Sequence, residues 1–196
     1  VPGDGTASHP RSPVAGPLAE TARQLVLRTV GPVEESAPLH RLVDQLGTAA
    51  RLADREARRL GHRERSALVV SAVLYDGMSK VAACRAGDLT RQAVDQAIQA
   101  ALGVERLTGP EFERARAERR PDLEIEGAAD LLPEAAAAVR FVDARGEAAA
   151  AVRDRLVVLV AGRGVTTADL VTVTGLKRAM VDRIRARGRD GYGREG

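Results

Sequence analysis

The chain of 196 residues holds one cysteine, no tryptophan, two tyrosines, two phenylalanines and two lysines. With Cys84 alone, neither an intramolecular disulfide nor a multi-cysteine zinc site can form, and a reducing compartment is expected. His9, His40 and His62 are scattered without metal-ligand spacing, so neither a metal nor a cofactor is expected. So few aromatics argue against a sheet or groove that stacks unpaired bases on rings. Apolar runs fall short of the roughly 18 residues that cross a bilayer. The expectation is a soluble cytoplasmic protein without a membrane partner. A glycine-rich phosphate loop and a recognisable nucleophile motif are also missing, so an enzyme is not expected.

What the chain does contain is a repeat. Shifted by 87 residues, Gly77, Leu89, Arg91, Val94 and Asp95 fall on Gly164, Leu176, Arg178, Val181 and Asp182. Each copy reads as a short helix, a tight turn and a second helix. Ser79 and Thr90 suit N-caps in the first copy, and Thr166 or Thr167 in the second. The turn position is Asp88 in one copy and Gly175 in the other, both residue types that tolerate a left-handed backbone. Leu170, Leu176, Val181 and Ile184 are spaced to form a small core. Cys84 is expected as a small buried residue at the closest approach of its two helices.

Charge is uneven. The formal net charge is +3, yet residues 177 to 196 alone hold seven basic side chains against three acidic ones. A basic excess gathered on one module is the footprint of a phosphate-contacting surface.

Elsewhere the pattern is helical. Pro17 to about Val30 forms a first helix, with Leu18, Ala22, Leu25 and Val26 on one face, stopped by Gly31-Pro32. The segment Pro38 to Leu60 repeats apolar residues in steps of three and four, and Gly61 is expected to end it. Arg63 to Tyr75 reads as a buried helix. Glu111 to Arg120 reads as an exposed charged helix, Asp122 to Asp130 as an acidic linker, and Pro133 to Arg145 and Glu147 to Ala161 as a further helix pair. The apolar stretch Leu156 to Val160 would suit a strand alone, but the repeat lays Val157 and Val160 on Val70 and Val73 of a helix.

The strings from Gly77 to Val94 and from Gly164 to Asp182 resemble the helix-turn-helix modules of bacterial, especially actinobacterial, DNA-binding regulators and of plasmid and phage repressors. Abundant alanine and an arginine-dominated basic set also suit a high-GC genome. The resemblance implies exposed recognition positions Thr90, Arg91, Gln92, Asp95 and Gln96 in the first copy, and Lys177, Arg178, Ala179, Asp182 and Arg183 in the second. Arg91 and Arg178 would read guanine, and Gln92 adenine. Ser79, Thr90, Thr166 and Arg187 would position the duplex through its phosphates. The plainer alternative is that the two arginines pair with Asp95 and Asp182, four residues on.

The expected fold is all-α, with two tandem domains of three to four helices, each containing a helix-turn-helix. They span 17–106 and 132–188, with a charged helix and acidic linker at 107–131, a disordered tail at 1–16 and a basic tail at 189–196. The expected function is sequence-specific binding of double-stranded DNA by a nucleoid-associated transcription regulator. The alternatives are a plasmid partition or replication factor, or a helical adaptor that binds protein and not DNA. The helix at 38–60 is a candidate homodimer surface.

Overall fold

The computed structural model describes residues 16–192, and among them every regular element is a helix. In order these are α1 (Pro17–Val30), α2 (Leu39–Leu52), α3 (Glu56–Leu74), α4 (Lys80–Gly87), α5 (Arg91–Leu102), α6 (Gly109–Glu118), α7 (Ala128–Gly162), α8 (Thr167–Thr174) and α9 (Arg178–Tyr192). The expected all-α class is observed. The tail at 1–15 and residues 193–196 lie outside the described residues. The expected basic tail is helical in part, because α9 runs past Gly188 to Tyr192.

Helix α7 organises the molecule. Its 35 residues give a rod of about 50 Å at 1.5 Å per residue, and both apolar cores are built on it. One core packs Val69, Val73, Val94 and Ile98 of α3 and α5 against Ala83 of α4, Ala115 of α6 and Leu132 near the start of α7. The other joins Val26 of α1, Leu42 and Leu46 of α2 and Leu156, Val157 and Val160 at the far end of α7 with Leu170, Val181 and Ile184 of α8 and α9. Chain order and packing therefore cross over. Residues 17 to 52, expected to belong with the first helix pair, complete the core of the second. Gln45 fastens this arrangement: its buried amide donates to the carbonyls of Val30 and Pro32 at 3.0 and 2.9 Å, satisfying acceptors left open where α1 ends.

Three expected helix boundaries move, each for a visible reason. The segment Pro38 to Leu60 is not one helix: α2 stops at Leu52, and the Asp54 carboxylate accepts from the Glu56 N–H at 3.2 Å, which stabilises a turn before α3. Gly61 does not end a helix but lies within α3, where an added Cβ would sit 3.4 Å from Val139 on α7. The pair expected at 133–145 and 147–161 is one helix, because Gly146 serves a crossing instead of a break. Arg58 of α3 lies over it, donating to the Asp143 carbonyl at 2.9 Å, and a Cβ on Gly146 would fall 2.1 Å from that guanidinium.

The same crossing carries a polar chain. Arg65 donates to His62 Nδ1 at 3.0 Å, and the other ring nitrogen lies 3.2 Å from Asp143 Oδ2. A guanidinium can only donate, so Nδ1 accepts and the Nε2 proton is directed to Asp143. Arg65 also donates to the carbonyl of Gly87, tying the end of α4 to α3.

Exposure differs from expectation on two helices. On α1 the buried set is Ala22, Val26 and Val30, whereas Leu18 and Leu25 are exposed. The apolar face of α2, proposed as a homodimer surface, is spent inside the chain: Leu42, Leu46 and Ala49 are completely buried. The acidic stretch at 122–130 is folded back rather than free. Leu123 packs on the first core, Ser71 accepts from the Ile125 N–H at 2.8 Å, and Asp76 accepts from the Ala129 N–H at 2.8 Å. That last contact, together with Gly127 at the N-cap, starts α7 five residues before Pro133. Helix α6 opens with a reciprocal cap between Thr108 and Glu111. The Thr108 backbone N–H and then its hydroxyl hold the Glu111 carboxyl below its ordinary range.

Candidate nucleic-acid interface

Two helix pairs, α4–α5 and α8–α9, follow one backbone plan. Ser79 caps α4 by accepting from the Ala82 N–H at 3.1 Å, and Thr166 caps α8 by accepting from the Asp169 N–H at 3.2 Å. The first helix of each pair has eight residues and ends on a left-handed residue, Asp88 at φ 51° or Gly175 at φ 65°. Three residues turn the chain, and α5 and α9 start at Arg91 and Arg178, again 87 apart. Val94 and Val181 then occupy the same place and are both fully buried. The preceding helix also corresponds, since Val70 and Val73 of α3 and Val157 and Val160 of α7 are all buried.

A cross-link inside each pair starts from the same position of the first helix but reaches a different position of the second, with different chemistry. In the first, Lys80 reaches Asp95 at 2.6 Å and lies over the Phe112 ring of α6, 5.0 Å from its centroid. In the second, Thr167 stands where Lys80 does, and its hydroxyl accepts from Arg185. Asp95 is therefore engaged by Lys80, not by the Arg91 expected from helical spacing. Arg178 does approach Asp182, but at 4.0 Å with side chains 82% and 55% exposed, a contact too loose and too wet to hold the guanidinium.

Cys84 is half-buried and packs at the edge of the first core, while its neighbour Ala83 takes the fully buried position. Close approach of the helices falls on Gly87, where an added Cβ would meet Val69, Leu89 and Leu132 at 3.4 Å.

The residues expected at the interface are exposed with one exception: Ser79, Thr90, Arg91, Gln92 and Gln96 on the first pair and Thr166, Lys177, Arg178, Ala179, Asp182, Arg183 and Arg187 on the second are exposed, whereas Asp95 is half-buried and held by Lys80. The two sets sit on different cores. Within α5 the charges are Arg91 and Asp95 alone, whereas the start of α9 and its approach present Lys177, Arg178 and Arg183. The caps differ too. Thr90 accepts from the Ala93 N–H at 3.2 Å through its hydroxyl, but the matching position before α9 is Lys177, whose side chain has no acceptor, and the corresponding Met180 N–H turns to the Lys177 carbonyl at 2.8 Å. A helix start without a side-chain cap, beside cationic side chains, attracts anions.

Sequence reasoning missed the surroundings of the second turn. The corner between α2 and α3 lies against Gly175, Leu176 and Lys177 across a cleft of 710 Å³, with Arg51, Arg55, Arg59 and Arg153 on its walls. Its charge was visible locally, since 51–65 contain six arginines against three carboxylates, but it disappears in a sum over the first 176 residues. Among the described residues no cluster of histidine, cysteine and carboxylate could hold a metal ion, and no helix is long and apolar enough to cross a membrane. No family model, curated protein or solved structure matches the chain.

Proposed function

We propose that the chain binds duplex DNA sequence-specifically, with α4–α5 and α8–α9 acting as two helix-turn-helix units and α5 and α9 as recognition helices, and that it serves as a bacterial transcription regulator. The observation that carries this reading is the coincidence of cap, left-handed turn, helix start and buried valine in both pairs at one interval, with an exposed arginine opening each second helix. A helix presented in this way fits the major groove, where a guanidinium can bond guanine O6 and N7 together. The loose Arg178–Asp182 contact leaves Arg178 available for such a bond. The neutral α5, with Asp95 engaged by Lys80, gives the first unit the weaker electrostatic attraction.

Selection of bound sequences from a random duplex pool tests the reading, followed by titration of the selected site against salt. Affinity should fall linearly in log-log form as salt rises. Arg178→Ala should weaken the selected site by about 1–3 kcal/mol and relax preference at one base pair. An unchanged affinity removes Arg178 from base recognition, and binding indifferent to salt favours a protein-docking adaptor. Bound sites clustered at a replication origin, rather than overlapping promoters, would move the assignment to partition or replication.

A further inference from the structure

Two basic clefts meet on the first turns of α3. The cleft beside the α8–α9 turn includes Arg51, Arg55, Arg59 and Lys177, and a second of 570 Å³ continues along α3 through Arg55, Arg59 and Arg63 toward His62. Arg55 and Arg59 line both, so the two form one track. Arg55, Arg59 and Arg63 recur every four residues and are all exposed. A helical rise of about 6 Å per four residues spaces them over about 12 Å along one face. Acidic groups do enter the track. Asp54 and Glu56 line the first cleft and Asp143 the second. Asp54 accepts from the Glu56 N–H and Asp143 is met by His62, whereas Glu56 approaches Arg59 of the track itself, at 3.6 Å in a loose pair with both side chains exposed that a bound phosphate would displace.

We propose that this arginine track is a second phosphate-binding surface, which receives the backbone of the same DNA duplex that α9 enters, and so extends the contact from Lys177 along α3. The proposal rests on the duplex-binding reading. Three features favour an extended polyanion. The clefts are open, the cations are spread in a line rather than converging on a point, and the line begins at the turn that leads into α9. Guanidinium groups bond phosphate oxygens in pairs, which suits an all-arginine row. Arg58 takes no part, because it is committed to the Asp143 carbonyl over Gly146.

The salt dependence of binding counts the phosphates engaged, and it can be measured on a mixed-sequence duplex of roughly 30 base pairs because this part of the affinity ignores sequence. In the full chain, Arg55→Gln, Arg59→Gln and Arg63→Gln together should make the log-log slope shallower by about two to three and reduce affinity at about 0.1 M salt by on the order of 10²-fold. A control with Arg23→Gln, Arg28→Gln and Arg114→Gln removes the same charge from exposed positions on α1 and α6 and should leave the slope unchanged. Equal effects of the two triple variants, or an unchanged slope in the first, overturn the track while leaving DNA binding by α9 intact. Failure of the unaltered protein to bind the duplex overturns the duplex-binding reading itself. Should the triple variant lose its helical circular dichroism, Arg55→Gln and Arg63→Gln made singly keep the question open to measurement, each expected to reduce the slope by about one.

Discussion

Shifted by 87 residues, the first helix pair lays Ser79 on Thr166, Asp88 on Gly175 and Val94 on Val181, and each couple does the same work. The same shift lays Thr90 on Lys177, Lys80 on Thr167 and Ala101 on Gly188, and here the work differs. The backbone plan depends on a hydroxyl that caps, a residue that accepts positive φ and a branched side chain that fills the space under the second helix. Charge does not enter that plan. The two copies can therefore share a path while α5 is neutral, with Asp95 engaged by Lys80, and the start of α9 is basic, with Lys177 where α5 has a capping hydroxyl.

The largest effect tests whether the pairs are energetically separate. Leu170→Ala in one core and Ile98→Ala in the other should each cost about 2–5 kcal/mol, since both side chains are fully buried. Because both cores are built on α7, urea unfolding followed by circular dichroism should remain one transition in either variant. Two resolved transitions would mean that the halves of the rod melt independently.

A smaller effect concerns Ala101 and Gly188. The first core already accommodates a methyl at this position, but in the second a Cβ on Gly188 would lie 2.4 Å from Val158 Cγ2. Val158 is β-branched and has few rotamers into which to retreat. Gly188→Ala should cost about 1–3 kcal/mol, read as a lowered denaturation midpoint, even though alanine is the better helix former. An increase in stability would show that α7 and α9 can separate without loss.

The smallest exchanges the caps. Lys177→Thr gives α9 the hydroxyl that Thr90 gives α5 and should stabilise the fold by about 0.5–1 kcal/mol. Duplex affinity should move the other way, dropping several-fold with the lost cation. If stability and affinity rise together, Lys177 faces no phosphate.

These contrasts also explain what could be read from residues alone. The repeat was legible because caps, turn residues and buried valines are fixed by local backbone chemistry and recur in register. The break between α2 and α3 was hidden by apolar spacing that continues from Leu39 to Leu60, while the turn rests on one carboxylate, Asp54. Gly146 resembled a stop because glycine disfavours helices, and its purpose appears only when Arg58, 88 positions earlier, is laid across it. The exchange of partners between cores depends on contacts as distant as Arg163 donating to the carbonyl of Ala37, 126 positions away, which local periodicity does not encode. The expected interface positions proved exposed apart from Asp95, which Lys80 holds, but the arginines of the α2–α3 corner were passed over because acids elsewhere in the first 176 residues hide their local excess in the total.

The rod α7 has a geometric corollary. An α-helix advances about 100° per residue, so one residue inserted near its middle would turn α9 by that angle relative to α5, provided that the crossing of Arg58 over Gly146 gives way. Length along this helix thus sets the angular phase between the two ends of the molecule. A series of insertions in α7, scored against duplexes with varied half-site spacing, would read that phase as a dial.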